Sequence, residues 1–121
     1  MGSRVLLVED DPDTRGMMKI FLESFGCDVI EASDGYQAVE RAVEFPPDLI
    51  LMDIAMPVLD GVQTTSVIRQ HDLLKDVPIV FITAYDDFYK TAARLAGSHE
   101  IIKKPVDFNE LRPVVQRYLS W

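Results

Sequence analysis

The apolar residues of this chain fall into short unbroken runs that alternate with stripes of helical spacing. The runs are Arg4-Val5-Leu6-Leu7-Val8, Asp28-Val29-Ile30-Glu31-Ala32, Leu49-Ile50-Leu51-Met52, Pro78-Ile79-Val80-Phe81-Ile82 and the pair Ile101-Ile102. Each has strand length, and apolar side chains on successive positions predict strands covered on both faces. Between them lie the stripes Met18–Phe21–Leu22–Phe25, Ala38–Val39–Ala42–Val43, Val62 to Arg69, Phe88–Ala92–Leu95 and Phe108–Leu111–Val115–Tyr118.

Punctuation residues agree with that division. Asp11 before Pro12 predicts a capped helix start, and Gly26 its stop. Ser33 is the expected cap of the second helix, which Pro46-Pro47 ends. A turn region from Met56 to Gly61 precedes the third helix, and Gly97 follows the fourth. Five βα units predict an α/β fold: a doubly wound five-stranded parallel sheet with helices on both faces. The pattern leaves the strand order open.

The 121 residues make one ordinary domain, with residues 1–3 set aside from the fold argument. Apolar residues at 48% and charged residues at 26% describe a soluble globular chain with a real core. No run reaches the ~18–20 apolar residues that span a bilayer. Lone Cys27 has no internal disulfide partner, which suits a reducing cytoplasm. Twenty acidic against twelve basic residues give a net charge of −8, which argues against backbone-driven nucleic-acid binding.

In open α/β sheets, ligands sit outside the carboxyl ends of the strands. Here strand one ends in Glu9-Asp10-Asp11, strand three in Asp53 and strand four in Thr83, and strand five leads into Lys104. Carboxylates gathered from two strands repel one another, and a hard divalent cation such as Mg²⁺ neutralises them with oxygen ligands. A hydroxyl and an ammonium add donors for an anion. Together these groups describe phosphoryl transfer to an aspartate. Taken singly, each residue has a plainer reading: Asp11 and Thr83 as helix caps, Lys104 as a solvated lysine, Met56 and Pro57 as turn and packing residues. The agreement of four strand ends carries the functional reading.

The chain resembles the receiver domains of two-component response regulators, of the kind typified by chemotaxis regulators, from Val5 to about Leu119. The resemblance rests on Leu7-Val8-Glu9-Asp10-Asp11, Asp53-Ile54-Ala55-Met56-Pro57-Val58-Leu59-Asp60-Gly61, Thr83-Ala84 and Lys104-Pro105 in that order. It implies the flavodoxin-like strand order 2-1-3-4-5. It implies Asp53 as phosphoacceptor, Asp10 as a direct Mg²⁺ ligand, Glu9 as a ligand through water, and the Ala55 backbone carbonyl as a further ligand, with Mn²⁺ able to substitute. Thr83 is implied as the hydroxyl that meets the phosphoryl group, and Lys104 as the cation paired with Asp53, its bond to Pro105 being cis. The implied partners are a sensor histidine kinase or phosphotransfer protein, and a downstream target met on the face of the fourth helix, fifth strand and fifth helix. The implied chain is a phosphoacceptor that assists its own phosphorylation and dephosphorylation, and not an enzyme acting on other substrates.

Two features depart from that pattern. Ile101 stands three residues before the lysine, where receivers commonly carry an aromatic switch residue, and Tyr85 is a nearby ring that can lie over the site or pack on a loop. Pro113 falls inside the last helical stripe and is expected to kink it unless the helix starts late. Val114 and Trp121 lie off that stripe, as chain-end packing or as a small partner or homodimer surface. His71 and His99 read as surface histidines. Two alternatives remain: a pseudo-receiver that binds partners without phosphorylation, and a Mg²⁺-dependent hydrolase with an aspartyl-phosphate intermediate, for which 121 residues leave no substrate cap.

Overall fold

The computed structural model describes residues 3–24, 26–56, 59–84 and 99–119. Its elements are β1 (Arg4–Val8), α1 (Pro12–Ser24), β2 (Asp28–Ala32), α2 (Gly35–Glu44), β3 (Leu49–Asp53), α3 (Gly61–Ile68), a 3₁₀ turn (Asp72–Leu74), β4 (Ile79–Thr83), β5 (Glu100–Lys103) and a C-terminal helix (Phe108–Leu119). The predicted helix with Phe88, Ala92 and Leu95 lies outside the described residues, as do Phe25, Pro57, Val58, Tyr85 and Trp121. No helix among the described residues is long and apolar enough to cross a membrane.

The five strands form one parallel sheet in the order β2-β1-β3-β4-β5. β3 and β4 are buried at every position, which is why they read as unbroken apolar runs. Successive side chains point to opposite faces, so the two faces divide the apolar residues by parity. Leu6, Val8, Ile50, Met52 and Phe81 pack with Ala38 and Ala42 of α2 and Ile68 of α3. Val5, Leu7, Leu49, Leu51, Val80 and Ile82 pack with Met18 and Leu22 of α1 and Leu111 and Val115 of the C-terminal helix. Phe21 closes this second layer by stacking on Phe108 at 4.4 Å.

Capping places the helices. The Asp11 carboxylate accepts the Thr14 N–H at 3.0 Å and starts α1 at Pro12. Gly26 turns the chain out of α1 at φ 96°, a conformation that glycine adopts without strain. Asp34, and not Ser33, caps α2 by accepting from Gln37 N at 2.8 Å; the Ser33 N–H and hydroxyl instead reach Gln37 Oε1 at 3.0 Å. Asp60 caps α3 through Gln63 N at 2.8 Å.

One further expectation changes, one pair of alternatives is decided, and one residue set aside above joins the fold. Val43 is 48% exposed, because it lies one helical step past the Ala38–Ala42 line that faces the sheet. Val114 is core, packed with Leu111 and Val115, which bears out the packing reading of that residue over the partner surface. Ser3 joins the sheet edge: it is buried, and its carbonyl accepts the Asp28 N–H at 2.9 Å. Pro113 sits within the C-terminal helix, which begins at Phe108, so Asn109 loses the N–H its carbonyl would accept in an unbroken ladder.

Candidate functional site

The carboxyl ends of β1, β3 and β4 and the segment after β5 converge on one small polar region. β1 ends at Val8, and the next residue turns its carboxylate inward, leaving Glu9 2% exposed. Its backbone is held from both sides: Glu9 N–H donates to the Ala32 carbonyl at 3.1 Å, and the Glu9 carbonyl accepts from Arg15 Nη1 at 2.8 Å. Asp53 closes β3 and is 4% exposed. Thr83 closes β4 with no exposed surface, and its carbonyl accepts Lys104 N–H at 2.7 Å, tying β4 to the lysine's backbone. The Lys104–Pro105 peptide bond is cis.

Lys104 Nζ donates to Glu9 Oε1 at 2.9 Å and to Asp53 Oδ2 at 3.0 Å. One ammonium thus bridges two buried carboxylates supplied by different strands. Burial alone would push Lys104 down, but its hydrogen bonds to Glu9 and Asp53 and their charges outweigh that effect and hold it above the usual lysine range. The remaining Asp53 oxygen, Oδ1, accepts the Ala55 N–H at 3.1 Å, so the chain after β3 curls around the carboxylate. That curl needs Gly61: a Cβ there would stand 2.7 Å from the Asp53 carbonyl oxygen and 2.9 Å from Ile54 Cα.

Asp10 is the exposed member of the group. Partial burial, followed by its contact with Glu9 and that residue's charge, raises Asp10 above the ordinary carboxylate value. Glu9, Asp10 and Asp53 can each present an oxygen within 4.8 Å of the others. A set of hard anionic oxygens at that spacing fits a small divalent cation, and the exposed Asp10 leaves room for water ligands. Asp11, adjacent in sequence, is used differently: its carboxylate takes the Thr14 hydroxyl and N–H and caps α1.

A model of the response regulator receiver domain matches residues 5–116. The chain belongs to that family. Among curated receiver relatives, Protein PilG of Pseudomonas aeruginosa is 31% identical over 98% of this chain and 88% of its own. The alkaline phosphatase synthesis transcriptional regulatory protein PhoP of Bacillus subtilis is 34% identical over 98% of this chain, yet this chain spans only 49% of its length. Among solved structures, the receiver domain of a sensor histidine kinase from Pseudomonas aeruginosa superposes with a TM-score of 0.92 at 35% identity, covering 100% of both chains. That structure has a magnesium ion coordinated in its active site cleft.

The receiver fold brings Glu9, Asp10, Asp53, Ala55, Thr83 and Lys104 to one end of the sheet. Two contacts were not foreseen from the sequence. Lys104 meets Glu9 as well as Asp53, a pair 95 residues apart whose contact depends wholly on strand order. Arg15 reaches back to the Glu9 carbonyl, and an arginine in a helix's first turn reads in sequence only as a surface charge. At the position of the common aromatic switch, Ile101 is partly buried against the core layer under α2 and α3. His99 Nδ1 accepts the Ile79 N–H at 3.2 Å, and the ring meets Tyr118 edge-on at 5.9 Å.

Proposed function

We propose that this receiver accepts a phosphoryl group on Asp53 in a Mg²⁺-dependent reaction and signals through the resulting change in charge. The observation that carries the reading is a buried nucleophilic carboxylate held 3.0 Å from Lys104, with oxygens of Glu9 and Asp10 within 4.8 Å. Glu9, Asp10, Asp53 and the Ala55 carbonyl would hold Mg²⁺, and Mn²⁺ has the same ligand preferences. When bound, the metal offsets negative charge on the transferring phosphoryl oxygens.

The chain's own groups supply the rest. An Asp53 carboxylate oxygen attacks phosphorus in line; the new O–P bond forms as the P–N bond of a phosphohistidine, or the P–O bond of a small acyl phosphate, breaks. Lys104 stays beside the reacting oxygens and meets the added negative charge. Thr83, fixed at the end of β4, offers its hydroxyl to a phosphoryl oxygen. The modification adds about −1.5 to −2 charge, which biases the face of β5 and the C-terminal helix toward a second arrangement. Partial burial of Ile101 makes this coupling an aliphatic repacking rather than a ring rotation.

A histidine kinase or phosphotransfer protein is the natural donor, and a cytoplasmic setting suits Cys27, whose buried thiol is pushed up to about 11 and stays protonated and unreactive. The chain assists its own phosphorylation and dephosphorylation and has no separate substrate. Intact mass after incubation with acetyl phosphate tests this. One Mg²⁺-dependent phosphoryl adduct, absent in Asp53→Asn, is expected. Sustained release of phosphate would point to a hydrolase, and no adduct on folded protein to a phosphorylation-independent interaction module.

A further inference from the structure

Glu31, at the end of β2, carries an ion-pair network that ends on the acidic loop. Its Oε1 lies 3.4 Å from Arg15 Nε, and its Oε2 lies 3.4 Å from Lys19 Nζ. Arg41 of α2 donates to the Glu31 carbonyl at 3.3 Å, so the β2 terminus is itself tied down. Arg15 is thus held at one edge by Glu31, while Nη1 grips the Glu9 carbonyl at 2.8 Å. The Arg15 side chain is 21% exposed, enough burial for these contacts to be maintained.

Peptide planarity gives that grip its consequence. The Glu9 carbonyl oxygen, the Asp10 N–H and the Asp10 Cα lie in one rigid plane. Fixing the oxygen fixes the plane, and with it the origin of the Asp10 side chain. Asp10 is the exposed carboxylate of the cluster, beside the Glu9 carboxylate and within the field of the Lys104 charge. We infer that Arg15, anchored by Glu31, is a positioning residue that presets Asp10 for a divalent cation. The inference rests on the cation reading of the acidic cluster and adds a residue to it.

The sign of the effect separates positioning from plain electrostatics. Arg15 is a cation close to a cation site, so removing its charge should tighten Mg²⁺ binding if charge is all that matters. Loss of positioning should weaken it. Partners that orient metal ligands commonly alter affinity about 10–100-fold, and a grip on the ligand's backbone belongs near the lower end.

The test is calorimetric titration of the unphosphorylated protein with MgCl₂, for wild type, Arg15→Met, Arg15→Lys and Asp10→Asn, with circular dichroism to confirm folding. The expected result is about tenfold weaker binding in Arg15→Met, partial recovery in Arg15→Lys, and faster amide exchange at Asp10 in Arg15→Met. Equal or tighter Mg²⁺ binding by folded Arg15→Met would overturn the positioning role while leaving the cation site standing. Should Arg15→Met fail to fold, Arg15→Lys and Glu31→Gln carry the test, and wild-type affinity in both would overturn it. Absence of Mg²⁺ binding in the wild type would instead remove the cation reading beneath the proposal.

Discussion

Replacing Lys104 with methionine keeps the aliphatic stem and removes the charge that bridges Glu9 and Asp53. At 2.9 and 3.0 Å, each contact is worth ~5–6 kcal/mol of attraction at an effective dielectric of ~20. Desolvation offsets much of that. The net loss on orphaning buried carboxylates is ~3–5 kcal/mol. Lys104 keeps 25% of its side chain exposed against 3% for Glu9 and 5% for Asp53, which places Lys104→Met at the low end, about 3 kcal/mol. With a urea slope of ~1.5–2 kcal/mol/M, the denaturation midpoint in EDTA should fall by roughly 1.5–2 M. A divalent cation can take over the neutralisation, so Mg²⁺ at about 10 mM should stabilise Lys104→Met more than wild type. Paired urea titrations followed by circular dichroism, with EDTA or Mg²⁺, measure both effects. A midpoint shift below about 0.3 M, or equal stabilisation of both proteins by Mg²⁺, would show that the bridge is not what holds these carboxylates.

Other consequences follow from the same geometry. The folded state raises Asp10, so it binds that proton more tightly than the unfolded chain, and stability declines as pH climbs through the window above 3.8. Asp10→Asn should therefore stabilise the metal-free protein in urea, by less than about 1 kcal/mol because water screens an exposed group, while abolishing Mg²⁺ stabilisation; a variant still stabilised by Mg²⁺ would exclude Asp10 as a ligand. For the same reason wild-type Mg²⁺ affinity should fall on acidification through that window, as calorimetry at several pH values would reveal. Gly61→Ala drives a Cβ into the backbone behind Asp53 and should cost ~1–3 kcal/mol in urea denaturation; an unchanged midpoint would disprove the close approach. Burial, then the Arg69 charge, hold His99 below 6.5, so the unfolded chain binds the proton more tightly and stability should fall as pH drops through 6.5. An imidazole midpoint at or above 6.5 by NMR would contradict the desolvation and Arg69 charge assigned to His99.

Much of this molecule was legible because its interior strands are uniformly apolar. Leu49 to Met52 and Ile79 to Ile82 admit few alternatives once helical stripes and caps flank them. Strand order was not readable from that pattern, since β1 pairs with β3 across the whole of β2 and its helices, and only the family resemblance supplied it. Local competition explains the smaller misses: Ser33 and Asp34 are both good caps, and Gln37 decided between them by taking the serine's N–H and hydroxyl. Val114 looked peripheral because one stripe was drawn too narrowly, whereas the sheet covers a wider arc of that helix. The strand-end carboxylates, threonine and lysine stood out by position. The Lys104–Glu9 contact and the Arg15 grip on the Glu9 carbonyl depend on three-dimensional proximity and leave no periodic trace.

The proposed destination of the phosphoryl group is a carboxylate oxygen of Asp53. Borohydride reduction after treatment with acetyl phosphate and Mg²⁺ tests it directly, because an acyl phosphate is reduced to an alcohol and a free carboxylate is not. Peptide mass spectrometry should then find homoserine in place of aspartate at position 53, dependent on Mg²⁺ and lost in Asp10→Asn. Reduction at another aspartate, or none in protein that binds Mg²⁺, would contradict phosphoryl transfer to Asp53.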